Sequence, residues 1–204
     1  MPGAAYTRLN VDERRRQVLA AGSQLFAEHT FEEITMRQIA EAAGISKGLL
    51  YHYYPSKTEL FKAAVFQHAS DLQQLITPDG HGSAAEQLSR SLDAYLQWVE
   101  ANSRTWTKLM QSAATLPEAA ELLTAFRTRT LHQLLEHLTT NGPPSPVLRN
   151  ALNGWLGYVD ATLLDWTQEH DLARGEVQQL ILAAFAAALL AAQQTDPDLQ
   201  LKLT

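Results

Sequence analysis

The chain has 204 residues, 46% hydrophobic and 19% charged, an ordinary globular balance that argues against disorder. It contains no cysteine, which excludes disulfides and thiolate metal sites. The net charge of −6 counts at first against a nucleic-acid partner, but it is uneven: residues 1–62 carry 8 Lys/Arg against 7 Asp/Glu, and residues 63–204 carry 8 against 15.

Met1 to Asn10 has no apolar stretch of the signal-peptide kind. Asn10 is a candidate cap for a first helix, in which Val18, Ala21, Leu25 and Phe26 recur at helical spacing. Gly22 inside that helix predicts a close approach by another helix, because glycine there costs about 1 kcal/mol relative to alanine. Thr35 with Gln38 is a capping-box pattern for a second helix, and Ser56 with Glu59 repeats it for a fourth. Between them Ser46 caps a short third helix reaching about Tyr53. Gly44 suits a left-handed turn between the second and third helices. Ile39, Ala40, Ile45 and Leu50 make the seam on which those two helices meet.

This is the layout of a helix-turn-helix, whose second helix can enter a major groove. Lys47, Gly48 and Leu49 stand at the end that would meet base edges, and Tyr51, His52 and Tyr53 add hydroxyl and imidazole groups. Lys57 opens the next helix, where an anion is favoured. Tyr54 reads as core, and Arg14, Arg15 and Arg16 as a solvated face; Arg8 is a candidate arm toward DNA.

Beyond Ser56 the pattern stays helical. Breaks at Thr77–Ser83, Thr115–Pro117, Asn141–Pro146 and Asp171–Gly175 leave about nine helices in all. Trp98, Trp106, Met110, Phe126, Trp155 and Tyr158 are the candidate lining of a small-molecule pocket, though each also suits a helical core. Leu152, Trp155, Val159, Leu163 and Trp166 form one apolar stripe; Gly154, Gly157, Ala161 and Leu164 form a second, small-residue stripe. The last helix, Val177 to Gln193, is apolar nearly all round, which demands burial on every side. With Leu180, Ala184 and Ala188, the small-residue stripe is the candidate dimer interface. The run Leu180–Ala192 is too short for the roughly 20 residues that span a bilayer, so it reads as a buried helix with no membrane partner.

The stretch from about Val11 to Phe61 resembles the TetR (tetracycline-repressor-like) family. The likeness is carried by Gln17-Val-Leu-Ala-Ala-Gly-Ser-Gln-Leu-Phe-Ala-Glu28 and by the ordered string from Thr35 through Ser46-Lys-Gly-Leu-Leu-Tyr-His-Tyr-Tyr-Pro-Ser-Lys-Thr-Glu-Leu-Phe61. The resemblance implies an all-α fold, with an N-terminal three-helix helix-turn-helix DNA-binding domain (1–55) and a C-terminal helical ligand-binding and dimerisation domain (56–204). It implies a homodimer on a palindromic double-stranded DNA operator, acting as a repressor released by a small-molecule effector; the absence of cysteine fits a cytoplasmic protein. By the motif match, Thr35, Tyr51, Tyr53 and Lys57 are the implied phosphate contacts, and Lys47, Gly48 and Leu49 the base-reading edge, with Arg37 close by. One departure is Thr30, which stands where such sequences commonly end the first helix on glycine.

An enzyme is disfavoured: there is no Gly-x-Ser-x-Gly and no phosphate-binding glycine loop, and no two histidines stand three or four apart. Neither a cofactor nor a metal is implied. The alternative is a helical small-molecule-binding protein without DNA-binding activity.

Overall fold

The computed structural model describes residues 11–77, 81–139 and 143–202; the Asn10 cap and the Arg8 arm lie outside them. Nine helices are present among the described residues: α1 (Val11–Glu28), α2 (Met36–Ala42), α3 (Lys47–Tyr53), α4 (Lys57–Ile76), α5 (Ala84–Ala101), α6 (Ser103–Ala113), α7 (Pro117–Leu138), α8 (Pro146–Glu169) and α9 (Arg174–Thr195). No strand occurs among those residues, only a single bridge between Thr139 and Leu201. The chain packs as two units. A head comprises residues up to His68 together with Lys108–Leu122, and a body comprises Ala69–Thr107 with Leu123–Thr204.

In the head, α1 buries Val18, Gly22 and Phe26. A Cβ on Gly22 would stand 2.8 Å from Leu60 Cδ2, so it is α4 that requires the glycine. The Phe61 ring meets Phe26 (5.0 Å) and Phe31 (5.3 Å) edge to face, while Phe26 and Phe31 stack at 6.3 Å. α1 ends at Glu28 without a left-handed residue. Thr30 keeps a negative φ, and the chain turns by local bonds, Thr30 N–H donating to Glu33 Oε2 (2.8 Å) and Glu33 N–H to the Thr30 carbonyl (3.2 Å). The corner between α6 and α7 belongs to this core: Ala119 is fully buried, and Leu109, Ala113 and Leu116 pack against the same cluster. Thr115 Oγ1 donates to Glu32 Oε1 at 2.8 Å, which holds the Glu32 carboxyl below its usual value.

The body is organised by α8 on α9. Leu152, Trp155, Val159 and Leu163 line the core face of α8, and Val177, Ile181, Phe185 and Leu189 that of α9. The Trp155 indole N–H donates to the Ile181 carbonyl at 3.0 Å, and its ring meets Phe185 edge-on at 4.9 Å. Each fully buried leucine or isoleucine in such a seam contributes about 1.5–3 kcal/mol. α5 joins through Gln178 Nε2, which donates to the Ser89 carbonyl (2.9 Å), and through Arg174, which pairs with Asp93 (3.2 Å) and Glu100 (2.9 Å). α8 ends on His170 in the left-handed conformation (φ 56°), with its Nδ1 3.0 Å from the Trp166 carbonyl.

Candidate nucleic-acid interface

α2 and α3 have seven residues each, too short to persist alone. Caps and burial hold them. Thr35 Oγ1 accepts the Gln38 N–H (3.3 Å) while the Gln38 side chain accepts the Thr35 N–H (2.8 Å), closing the capping box. Ser46 Oγ accepts the Leu49 N–H at 3.2 Å. Ile39, Ala40 and Leu50 are buried between the two helices, and Ile45 is half-buried beside them. Gly44 takes φ +64° at the turn, the left-handed conformation that glycine adopts without strain. Ser56 Oγ accepts the Glu59 N–H (3.1 Å) and starts α4.

With Leu50 facing inward, the rest of α3 faces out. Lys47, Gly48, Leu49, Tyr51 and His52 are exposed, and Tyr53 is half-buried. Leu49 keeps 38% and Tyr51 43% of their surface, high for side chains of that size. Lys47 Nζ lies 5.8 Å from the Tyr51 ring centre, and the His52 and Tyr53 rings meet edge to face at 5.5 Å. Thr35, the N-cap of α2, and Arg37 within it are exposed; Arg37 pairs with Glu41 one turn on at 3.0 Å. An exposed pair of that kind is worth little, so it leaves the guanidinium available to a stronger anion. Tyr54 is buried with the Arg15 guanidinium over its ring at 5.4 Å.

Lys57 is placed differently from the other cations of the set. Its ammonium donates to the carbonyls of Phe31 (2.6 Å) and Ile34 (2.7 Å) and lies 4.2 Å from the Phe31 ring centre. Desolvation draws its pKa below the ordinary lysine value, with the Glu32 carboxylate opposing. In this conformation it ties the α1–α2 connection to α4, and one of its three N–H donors remains outside those two bonds.

The candidate pocket residues differ in exposure. Trp155 is closed into the α8–α9 seam, Trp106 is buried, Tyr158 is exposed, and Trp98, Met110 and Phe126 are half-buried. A half-open cavity of about 210 Å³ in the body is lined by Glu100, Ser103, Trp166, Thr167, His170 and Leu172. It is below the usual size of small-molecule sites, about 300–1,000 Å³. A polar cluster that sequence reading missed also lies in the body. Arg127 of α7 pairs with Asp160 of α8. Desolvation raises the Asp160 carboxyl, with Arg127 opposing, and raises the nearby Tyr95 hydroxyl, to which the Trp106 side chain is hydrogen-bonded. Nothing in the sequence pairs residues 33 positions apart on separate helices.

Of the candidate dimer residues, Gly154, Ala161 and Leu180 are exposed, whereas Gly157, Leu164, Ala184 and Ala188 are half-buried within the chain's own bundle. On the same side of α9 as Leu180, Ala183, Ala186, Ala187 and Leu190 are also exposed, the last 56%. α9 is long and apolar enough to cross a membrane by composition, with a mean hydropathy of 1.6. Only 28% of that apolar window is buried within the chain.

Two family models match the chain: bacterial regulatory proteins of the tetR family over residues 18–64, and the tetracyclin repressor-like C-terminal domain over residues 84–188. The chain belongs to the TetR family. The first TetR match carries the helix-turn-helix described above, and the second covers most of the body. Among solved structures, a tetR-family transcriptional regulator from Streptomyces coelicolor is 28% identical, with a TM-score of 0.83 over 93% of this chain and 86% of its own. Among curated relatives, the transcriptional activator FasR of Mycolicibacterium smegmatis is 31% identical over 110 residues, 52% of this chain and 49% of FasR. The repressor AcnR of Corynebacterium diphtheriae is 31% identical over 80 residues, 39% of this chain and 41% of AcnR. The chain therefore matches about half the length of these relatives or less. The TetR family is one of helix-turn-helix transcriptional regulators rather than enzymes, and this chain is one of them.

Proposed function

We propose that the protein is a cytoplasmic homodimer that binds a palindromic operator through α3 and acts as a repressor released by a small-molecule effector. The observation that carries the DNA reading is the outer face of α3. Lys47, Gly48, Leu49, Tyr51 and His52 stand exposed on a helix whose position is pinned by the Thr35 and Ser46 caps and by buried Leu50. Thr35, Arg37 and Tyr53 flank that face and Lys57 opens α4 behind it, so this set supplies the phosphate and base contacts. Dimerisation is supported by the apolar outer face of α9 beside Gly154 and Ala161 of α8, where the lone chain leaves Leu180 and Leu190 in water.

DNA reading belongs to residues 1–55, and effector binding and dimerisation to 56–204. Communication is supported by three helices, α4, α6 and α7, each of which begins in one unit and ends in the other. An effector that shifts any of them in the body changes the spacing of the two recognition helices, which must meet grooves about one helical turn or a multiple apart.

The test is selection of bound fragments from source-genome DNA at near-physiological salt, wild type beside a Lys47→Ala, Tyr51→Ala double variant. Enrichment of an inverted repeat by wild type alone is the expected result. No enrichment by wild type, also after denaturing and refolding to strip a bound effector, refutes the DNA reading.

A further inference from the structure

We propose that Gly48 and Leu49 together form an edge that reads the methyl group of a thymine in the operator's major groove, the glycine clearing the approach and the leucine making the contact. This rests on the DNA-binding reading above and adds to it the chemical feature that is read.

The glycines that the fold itself requires have visible reasons. Gly22 faces Leu60 at 2.8 Å, and Gly44 and Gly82 take left-handed φ values of 64° and 82°. Gly48 has neither reason. Its φ is not left-handed, and a Cβ built on it meets nothing within 4 Å. Alanine at the second position of α3 would stabilise the helix, so the chain tolerates a weaker residue with no internal return. Gly175, at the second position of α9, is open in the same way. What sets Gly48 apart is therefore its surroundings, between Lys47 and Leu49 on the exposed face of the recognition helix. A surface free of a side chain at that place lets a partner come a methyl group closer.

Leu49 supplies the chemistry. Its backbone N–H is occupied by Ser46 Oγ at 3.2 Å, and its side chain stays 38% exposed while Leu50 fills the seam. An isobutyl group has no hydrogen-bonding atom, so it cannot read the donors and acceptors of base edges. The one apolar feature of the major groove is the thymine C5-methyl. A cleared neighbour and a projecting apolar side chain thus select an A·T pair with its methyl turned toward α3.

The experiment uses the operator obtained by the selection described above. Each thymine of one half-site is replaced in turn by deoxyuridine, which removes the methyl and leaves the rest of the edge intact. At one position, wild-type affinity should fall about fourfold, the value of one buried methyl-sized group, and Leu49→Ala should not sense the replacement. Gly48→Ala should weaken binding to the unmodified operator about tenfold. The same substitution should raise the melting temperature by roughly 1–4 °C. Gly175→Ala should give the same thermal gain with operator affinity unchanged. The proposal is overturned if no thymine is sensitive, if Leu49→Ala remains as sensitive as wild type, or if Gly48→Ala binds as tightly as wild type. If wild type selects no operator at all, the DNA-binding reading has failed first, and this inference falls with it.

Discussion

α3 and α9 both present an outer face to solvent, and the two faces could hardly differ more. On α3 the single fully buried side chain is Leu50, and the residues facing out are mostly polar, aromatic or glycine. On α9 the inner line of Val177, Ile181, Phe185, Leu189 and Ala192 is matched outside by Ala183, Ala186, Ala187 and Leu190. A helix of 22 residues that is apolar on both sides leaves its outer face uncovered within the chain, the face assigned above to the proposed dimer. A helix of seven residues that is polar outside exists because caps and one anchor hold it, and its outer face is available for a charged partner. The difference separates a face suited to burying apolar area from one suited to phosphates and base edges.

The largest expected effect falls on the inner side of the comparison. Trp155→Ala removes a buried ring and its bond to the Ile181 carbonyl, and should cost about 3–5 kcal/mol in chemical denaturation. Leu50→Ala should cost about 2–5 kcal/mol and should abolish operator binding, because α3 loses its anchor. Gly22→Val pushes new methyl groups into Leu60 and should destabilise by about 1–3 kcal/mol, measured in the same way.

Lys57→Met strips two carbonyls of their donor and should cost about 1–3 kcal/mol in the same denaturation experiment. Were its stability unchanged, the inward geometry of Lys57 would be of no structural consequence. Leu190→Glu acts on the outer face alone. It should alter the stability of the isolated chain by no more than about 0.5 kcal/mol, yet shift the mass in light scattering from dimer to monomer. A wild type that is already a monomer at micromolar concentration would refute the dimer.

The smallest effect is a pH dependence in the head. The bond from Thr115 holds the Glu32 carboxyl below its ordinary 4.5, so its contribution is complete above that pH and is lost as pH falls through the lower, folded value. Thr115→Val should shallow the decline of stability below pH 4.5, measured by denaturant titration at a series of pH values. An unchanged acid limb would show that the bond between Thr115 and Glu32 contributes nothing.

Much of this was legible beforehand where rules are local. Thr35, Ser46 and Ser56 announce helix starts because their side chains bond to N–H groups two or three residues on. Gly44 announces a turn because of its own backbone freedom. The end of α1 at Thr30 was open, since whether a chain leaves a helix by a left-handed residue or by a bond to Glu33 depends on which neighbours pack. The inward course of Lys57, the pairing of Arg127 with Asp160, and the closure of Trp155 into the seam with Ile181 were not legible. Each joins residues 23 to 33 positions apart in sequence. Likewise nothing local says that Ala119 belongs to the head core or that Leu190, rather than Ala188, is outermost on α9.

By itself the sequence determined the helical class, the capped helix-turn-helix with its exposed residues, and the presence of an apolar last helix, because periodicity and capping act within a few residues. Only the tertiary structure decided the rotational phase of α9, the membership of the α6–α7 corner in the head, and which aromatics are core and which are surface. Those choices follow from which faces pack together, and that is a property of pairs of helices distant along the chain.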